Sequence, residues 1–207
     1  MKVIVNIATH QGREATLTKT IDSIKDQCDA VNVYDNSNNE DYTDNAKFFF
    51  LDLYKEPCYY LTCDSDIIYP PNYCASLKYW IDTFQCPVSF HGRIINTNIA
   101  KYYASGHQVF DFRHGLLSSK YVDVIGTGVM GFRTDHYHPK DLHLSPYKRM
   151  SDLVFSLQAK KDGARLVCAE HSAYWLTQQV VEDSIQQSES QGTQAIQIKL
   201  MNEILNG

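Results

Sequence analysis

Tyr59-Tyr60-Leu61-Thr62-Cys63-Asp64-Ser65-Asp66-Ile67-Ile68-Tyr69-Pro70-Pro71 is the stretch from which the fold can be read. An apolar run stops at two carboxylates one residue apart, and a proline turn follows. Side chains two apart on an extended strand point the same way. Asp64 and Asp66 are therefore placed to aim two negative groups at one point just past a strand end. Like charges that close raise each other's energy unless a positive charge sits beside them. A divalent cation answers that need, and oxygen ligands suit Mg²⁺ or Mn²⁺.

On the N-terminal side, Met1 to Ala8 reads as a buried strand that breaks at Thr9-His10-Gln11-Gly12-Arg13. A helix should follow, because Leu17, Ile21, Ile24 and Cys28 recur at helical spacing. Strand, polar turn and helix open a doubly wound sheet, and the turn is where such folds bind ligands. Helix N-terminal amides and Arg13 suit an anion there; a solvated first-turn arginine fits the residues equally well. Ala30 to Tyr34 is a second strand, ending in Asp35-Asn36-Ser37-Asn38-Asn39. Asp35 suits hydrogen bonds from a base or ribose, while the run around it is also ordinary turn chemistry. Asp44 to Tyr54 is expected as a helix with Ala46, Phe49, Phe50 and Leu53 inward and Lys47 off that stripe.

On the C-terminal side, the proline pair opens a helix carrying Leu77, Trp80, Ile81 and Phe84 on one face. Val88 to Ile95 then reads as a further strand. Strand and helix thus alternate through residues 1–95, which predicts an α/β fold with a mostly parallel sheet and helices on both faces. The pattern loosens over residues 96–207. Tyr121 to Phe132 is a strand-like run interrupted by Gly126-Thr127-Gly128 and Gly131, which suggests a bulge or a close backbone approach to a ligand. His136, His138 and His143 lie in a proline-containing loop without clean ligand spacing. Ser151-Asp152 starts a helix ending near Asp162, and either residue suits its cap. Arg165 to Ala169 is a last strand, ending at Glu170-His171. Residues 180–194 read as a mobile loop and a candidate lid, and Ala195 to Leu205 as a short terminal helix. No repeat or linker divides the chain, so a single domain is expected.

With 207 residues the chain is long enough for one sizeable core. A net charge of −5 argues against nucleic acid as the main partner, since phosphate backbones need a basic face. No apolar run reaches the length of a membrane span. The six cysteines form no C-x-x-C pair, which speaks against a zinc knuckle and for buried, reduced thiols. The N-terminus has no signal-peptide pattern, and a cytoplasmic location is expected.

Three segments together carry a family resemblance: Asn6 to Arg13 after the first strand, Tyr34-Asp35-Asn36 after the second, and Leu61 to Asp66 after the third. The chain resembles a GT-A fold nucleotide-sugar glycosyltransferase of the family-two type, whose D-x-D signature corresponds to Asp64-Ser65-Asp66. The resemblance spans nearly the whole chain. It extends to domains that open larger multi-domain viral proteins, which would make further domains of a longer chain its partners and the host cytoplasm its location. It implies transfer of a hexose-type sugar from a UDP-sugar donor to a hydroxyl of a glycan acceptor. It implies Mn²⁺ or Mg²⁺ held by Asp66, Asp64 and His171. Thr9, Arg13, Asp35 and Lys47 would line the nucleobase and ribose pocket, with Asp64 and Ser65 also on the nucleotide sugar.

Asp152 is the implied general base if the transfer inverts, whereas a retaining enzyme would need no base there and would leave Asp152 to hold the acceptor or stabilise charge. The family often has Glu-Asp where this chain has Ser151-Asp152, so a helix-cap role for Asp152 stays open beside the catalytic one. A non-catalytic sugar- or nucleotide-binding module shares the same pattern. A metal-dependent nucleotidyltransferase would need a glycine-rich basic loop after the first strand, and Ala8 to Arg13 holds one Gly and one Arg.

Overall fold

The computed structural model describes residues 1–97, 101–103, 106–180 and 191–206. The first half runs β1 (Lys2–Thr9), α1 (Glu14–Ile24), β2 (Ala30–Asp35), β3 (Cys58–Asp64), β4 (Ile67–Ile68), α2 (Tyr73–Phe84), β5 (Val88–Ser89) and β6 (Gly92–Ile94). The second runs β7 (Gln108–Phe110), β8 (Lys120–Tyr121), β9 (Val124–Ile125), β10 (Val129–Arg133), α3 (Ser151–Lys161), β11 (Val167–Cys168), β12 (Thr177–Gln178) and α4 (Gln191–Asn206).

A seven-stranded sheet of order β2-β1-β3-β10-β5-β11-β8 forms the centre. β1 pairs in parallel with both β2 and β3, and β5 pairs in parallel with β11. β10 runs antiparallel between β3 and β5, and β8 closes the far edge antiparallel to β11. The expected mostly parallel sheet is therefore present, with two reversed strands in its C-terminal half. Strands β1 and β3 are near-continuous apolar runs because both faces of the sheet are covered. Tyr59, Leu61 and Cys63 pack with Tyr73, Leu77 and Ile81 of α2 on one face. Tyr60 points the other way, into a second core with Phe132 of β10, Phe155 of α3 and Leu200 of α4. Gly131 lets β10 lie against β3, since a Cβ there would meet Leu61 Cδ2 at 2.3 Å.

The register puts the three early strand ends on one edge. Thr9 is level with Asp35 on one side, and Ala8 with Asp64 on the other. The Asp64-Ser65-Asp66 turn is fixed from below. The buried Tyr69 hydroxyl accepts from Asp64 N at 2.9 Å and donates to the Gly128 carbonyl at 2.6 Å. Gln179 N donates to the Asp66 carbonyl at 2.7 Å beside the small β4–β12 ladder.

Several elements differ from the expectation. Residues 44–54 form two 3₁₀ turns, Thr43–Phe48 and Leu51–Leu53, instead of an α-helix. At three residues per turn a different set faces inward. Asn45, Ala46, Lys47, Phe48 and Leu51 are buried, while Leu53 is exposed. Lys47 is thus inside the protein rather than on an outer face. The 88–95 run splits at His91 into β5 of the central sheet and β6 of a three-stranded sheet with β7 and β9. The 121–132 run divides into β9 and β10 at Gly126-Thr127-Gly128. The first helix ends at Ile24, and Lys25–Gln27 continue as a 3₁₀ turn. Of the loop expected over 180–194, residues 181–190 lie outside the described residues, and 191–194 already belong to α4. All six cysteines are free thiols, and Cys28 alone is not fully buried. Among the described residues no helix is long and apolar enough to cross a membrane.

Candidate functional site

A cleft of about 200 Å³ opens on the α3 side of the sheet. Its floor is the end of β3 and the Gly126-Thr127-Gly128 link. Its walls are the 3₁₀ segment with Asp44 and Lys47, the start of α3 with Ser151 and Asp152, and His91, Tyr102 and Phe112.

The two glycines of the link are required by close contacts. A Cβ on Gly128 would sit 2.0 Å from Asp64 Oδ2, and one on Gly126 would sit 2.9 Å from the His91 ring. The close approach that the glycines signalled is therefore to two side chains of the protein itself. Between them, Thr127 is buried and turns its hydroxyl toward α3.

Lys47 is the buried cation of the site. Its ammonium donates to Asp64 Oδ1 and, at 3.4 Å, to Thr127 Oγ1. Burial alone would push its pKa down. Asp64, Asp44 and Asp152 around it more than compensate and hold it above the ordinary lysine value. Asp66, one residue on from Ser65, is paired with Arg13 at 3.3 Å. Burial and the neighbouring Asp64 push the Asp66 carboxyl up to about 6 despite Arg13 and Lys47. The anion that Arg13 meets is thus supplied by the protein's own turn.

Asp152 lies in the first turn of α3, whose N-cap position is Met150 with no side-chain cap. Its Oδ1 accepts from Thr127 N at 2.7 Å and from Thr127 Oγ1 at 2.8 Å. The capping role left open by the sequence is therefore not the one it plays; it ties α3 to the glycine link. Burial raises its pKa, partly offset by the Thr127 amide, Lys47 and His91. His91 is held below the ordinary histidine value by burial, against the pull of Asp152 and Asp111. Its Nδ1 is buried and has no hydrogen-bond partner among the described residues.

The remaining expected site residues stand apart from this cleft. Thr9 is buried at the sheet edge, and Asp35 beside it accepts from Ser37 N at 2.9 Å and Asn38 Nδ2 at 2.6 Å, which organises the turn. The Ser37 amide bond lowers the Asp35 pKa. Ser65 occupies the turn between the two acids. His171 follows β11, with Nδ1 2.8 Å from the Ala169 carbonyl and its ring edge-on to Phe90. Its Nε2 is buried and has no partner among the described residues. Among the described residues no three His, Cys, Asp or Glu side chains converge as a metal-holding group. Of the histidine loop, His138 pairs with Asp52 at 3.0 Å, and His143 packs edge-on against Tyr42.

Sequence reading misses Asp44 as a site residue and reaches Thr127 only as part of the Gly126-Thr127-Gly128 segment expected to shape the sugar and acceptor sites. Asp44 was read as a helix start, yet its Oδ2 accepts from Ser151 N and Oγ at 2.9 and 2.6 Å across the cleft wall. The glycines flanking Thr127 were its available signal.

No protein-family model matches the chain. No curated protein matches it either. Among solved structures, residues 1–349 of TarS from S. aureus, in complex with UDP-GlcNAc, are similar over 100% of this chain and 67% of that one, with a TM-score of 0.55 at 13% identity. A197 from STIV is similar over 88% of this chain and 87% of that one, with a TM-score of 0.48 at 11% identity. The TarS likeness shows the architecture: a mixed α/β, GT-A-like fold with a central, mostly parallel sheet flanked by helices.

Proposed function

We propose that this chain is a glycosyltransferase that moves a hexose-type sugar from a UDP-sugar donor to a hydroxyl of a glycan acceptor. The observation that supports it most is that Asp64 and Asp152 line one cleft of a GT-A-like fold, with the buried Lys47 beside both. The solved TarS structure holds UDP-GlcNAc, which makes that compound the first donor to try.

Asp64 and Asp66 fit a divalent cation, Mn²⁺ or Mg²⁺. Both are oxygen donors on one turn; the Asp66 pKa is raised first by burial and then by Asp64, and a bound cation would offset both. His171 is the proposed third ligand, through its unpartnered Nε2. Such a cation supplies charge stabilisation to the leaving diphosphate. Lys47 acts through Asp64, which it holds against Gly128. Thr9, Arg13, Asp35 and Ser65 form the edge against which the nucleotide lies, and Asp152 takes the proton from the acceptor hydroxyl.

A thermal-shift series with UDP-GlcNAc, UDP-glucose, UDP and GDP, each with and without Mn²⁺, tests the donor class. Ligand binding to the folded state raises apparent stability by mass action. A UDP-selective, Mn²⁺-enhanced shift is expected. Equal shifts for UDP and GDP, or none for any, would overturn the donor assignment. A shift without UDP release in the presence of acceptor glycans would make the chain a binding module.

A further inference from the structure

Four side chains form a continuous oxygen chain along one wall of the cleft. Asp152 Oδ1 is 2.8 Å from Thr127 Oγ1, Thr127 Oγ1 is 2.7 Å from Ser151 Oγ, and Ser151 Oγ is 2.6 Å from Asp44 Oδ2. Thr127 and Ser151 are buried, whereas Asp44 is only half-buried. All three separations are hydrogen-bond lengths for O–H···O. Each hydroxyl carries a single proton. With both carboxylates ionised, two protons serve three contacts, and one pair of oxygens faces without a hydrogen between them. A third proton completes the chain, and it does so whether it sits on Asp152 or on Asp44.

We infer that Asp152, Thr127, Ser151 and Asp44 are a proton relay, which takes the acceptor's proton along the cleft wall from Asp152 and delivers it at the half-buried Asp44. The inference rests on the proposed role of Asp152 as base. The cycle starts with both carboxylates ionised, Asp44 having released the shared proton to water. As the acceptor oxygen bonds to the anomeric carbon, the bond from that carbon to the diphosphate oxygen breaks and UDP leaves, while the acceptor O–H bond breaks and its proton passes to Asp152. Asp152 then gives a proton to Thr127 Oγ1, Thr127 passes its own to Ser151 Oγ, and Ser151 passes its own to Asp44 Oδ2. Asp152 ends ionised again, the two hydroxyls are restored with their donor direction reversed, and Asp44 holds the proton for release to water. Thr127 N and Ser151 N, which donate to Asp152 and Asp44 at 2.7 and 2.9 Å, keep the two ends in place. Among the described residues, the other charged or titratable groups facing the relay are Lys47, which donates to Thr127 Oγ1 from the 3₁₀ segment, Asp64 at the end of β3, His91 after β5, Tyr102 and Tyr103, and Arg149 ahead of α3.

The test is ¹³C-carboxyl NMR of the whole free protein across pH. A relay sharing one proton gives Asp44 and Asp152 common macroscopic midpoints, each carboxyl carbon moving at both. Ser151→Ala removes the middle hydroxyl and should leave one separate midpoint per residue, whereas Ser151→Thr keeps the hydroxyl and should keep the shared behaviour. Independent midpoints in the unaltered protein, or shared ones that survive Ser151→Ala, would overturn the relay. This readout needs no turnover, so it is separable from the transferase reading. If the midpoints are shared but Asp152→Asn leaves UDP release from UDP-GlcNAc with an acceptor unchanged, the role as base fails and with it the delivery of an acceptor proton.

Discussion

Gly128→Ala should damage both stability and donor binding, through one atom. The added Cβ would lie 2.0 Å from Asp64 Oδ2 and 2.5 Å from its Cγ, where ordinary contact begins near 3.4 Å. Asp64 must therefore retreat by about 1.4 Å, since the backbone at Gly128 is not in the left-handed region and can accept alanine. That retreat pulls the carboxylate away from Lys47, whose side chain is only 4% exposed. Breaking a fully buried pair costs about 3–5 kcal/mol because a charge is stranded. Here the Asp64 side chain is 42% exposed, so water can reach one partner, and about 1–3 kcal/mol is the better figure. Relief of the overlap itself is the same motion, so the two effects do not add. The assay is urea unfolding of a double-mutant cycle with Asp64→Ala. In the Asp64→Ala background there is nothing for the new Cβ to strike, and the cost of Gly128→Ala should fall to a few tenths of a kcal/mol. An equal cost in both backgrounds would refute the reasoning, because the strain would then lie in the backbone of the link and not at Asp64.

Asp152→Asn keeps the hydrogen bonds from Thr127 and removes the base, so turnover of UDP-GlcNAc with an acceptor glycan should drop about 10²–10⁴-fold while donor affinity stays within about twofold; equal losses in both would make Asp152 a binding residue. Asp66→Ala should abolish the Mn²⁺-dependent part of UDP binding in calorimetry and leave the circular dichroism unchanged, and an unaltered Mn²⁺ response would remove Asp66 as a ligand. His91 is held neutral by burial, so its folded-state pKa lies below the unfolded one. Below about pH 6.5 the unfolded chain binds a proton that the folded chain refuses, and stability should fall as pH drops through that window. His91→Gln should lessen that slope by up to about 1.4 kcal/mol per pH unit in urea melts, and an identical slope in the variant would show that His91 titrates freely.

What was legible in the sequence was whatever depends on period and order. The apolar runs of β1 and β3 and the helical spacing of Leu77 and Ile81 fixed a sheet with helices against it, and the polar residue closing each early strand marked the edge. Illegible was what depends on tertiary contact over long separations. The α-helical period puts Lys47 off the apolar stripe, and the resemblance puts it in the nucleotide pocket; in a 3₁₀ segment it turns inward, toward a carboxylate 17 positions away. Asp44 meets Ser151 across 107 positions, and no local pattern announces that. Short strands such as β5 and β6 were fused in the reading, since the break at His91 is imposed by β9 and β10 pairing with different partners. The glycines at 126 and 128 were read as room for a ligand, but the room is taken by His91 and Asp64.

The charges around the cleft bear on why Asp64 and Asp66 are kept as a pair. Asp44, Asp64 and Asp152 line it against Lys47 and Arg149, and Asp66 with Arg13 adds one charge of each sign just beyond. Four carboxylates thus stand against three cations. A diphosphate entering alone would add negative charge to a site already in deficit, and burial makes each unit more costly than it would be in water. Lys47 cannot serve the phosphate without leaving Asp64, its partner and the anchor of the glycine link. The proposed divalent cation would supply the positive charge that a diphosphate needs. The Asp66 carboxyl, raised first by burial and then by its neighbour Asp64, is where the proposed cation would act. On that proposal the Asp64-Ser65-Asp66 turn, whose acids are paired with Lys47 and Arg13, would share those acids with an incoming cation.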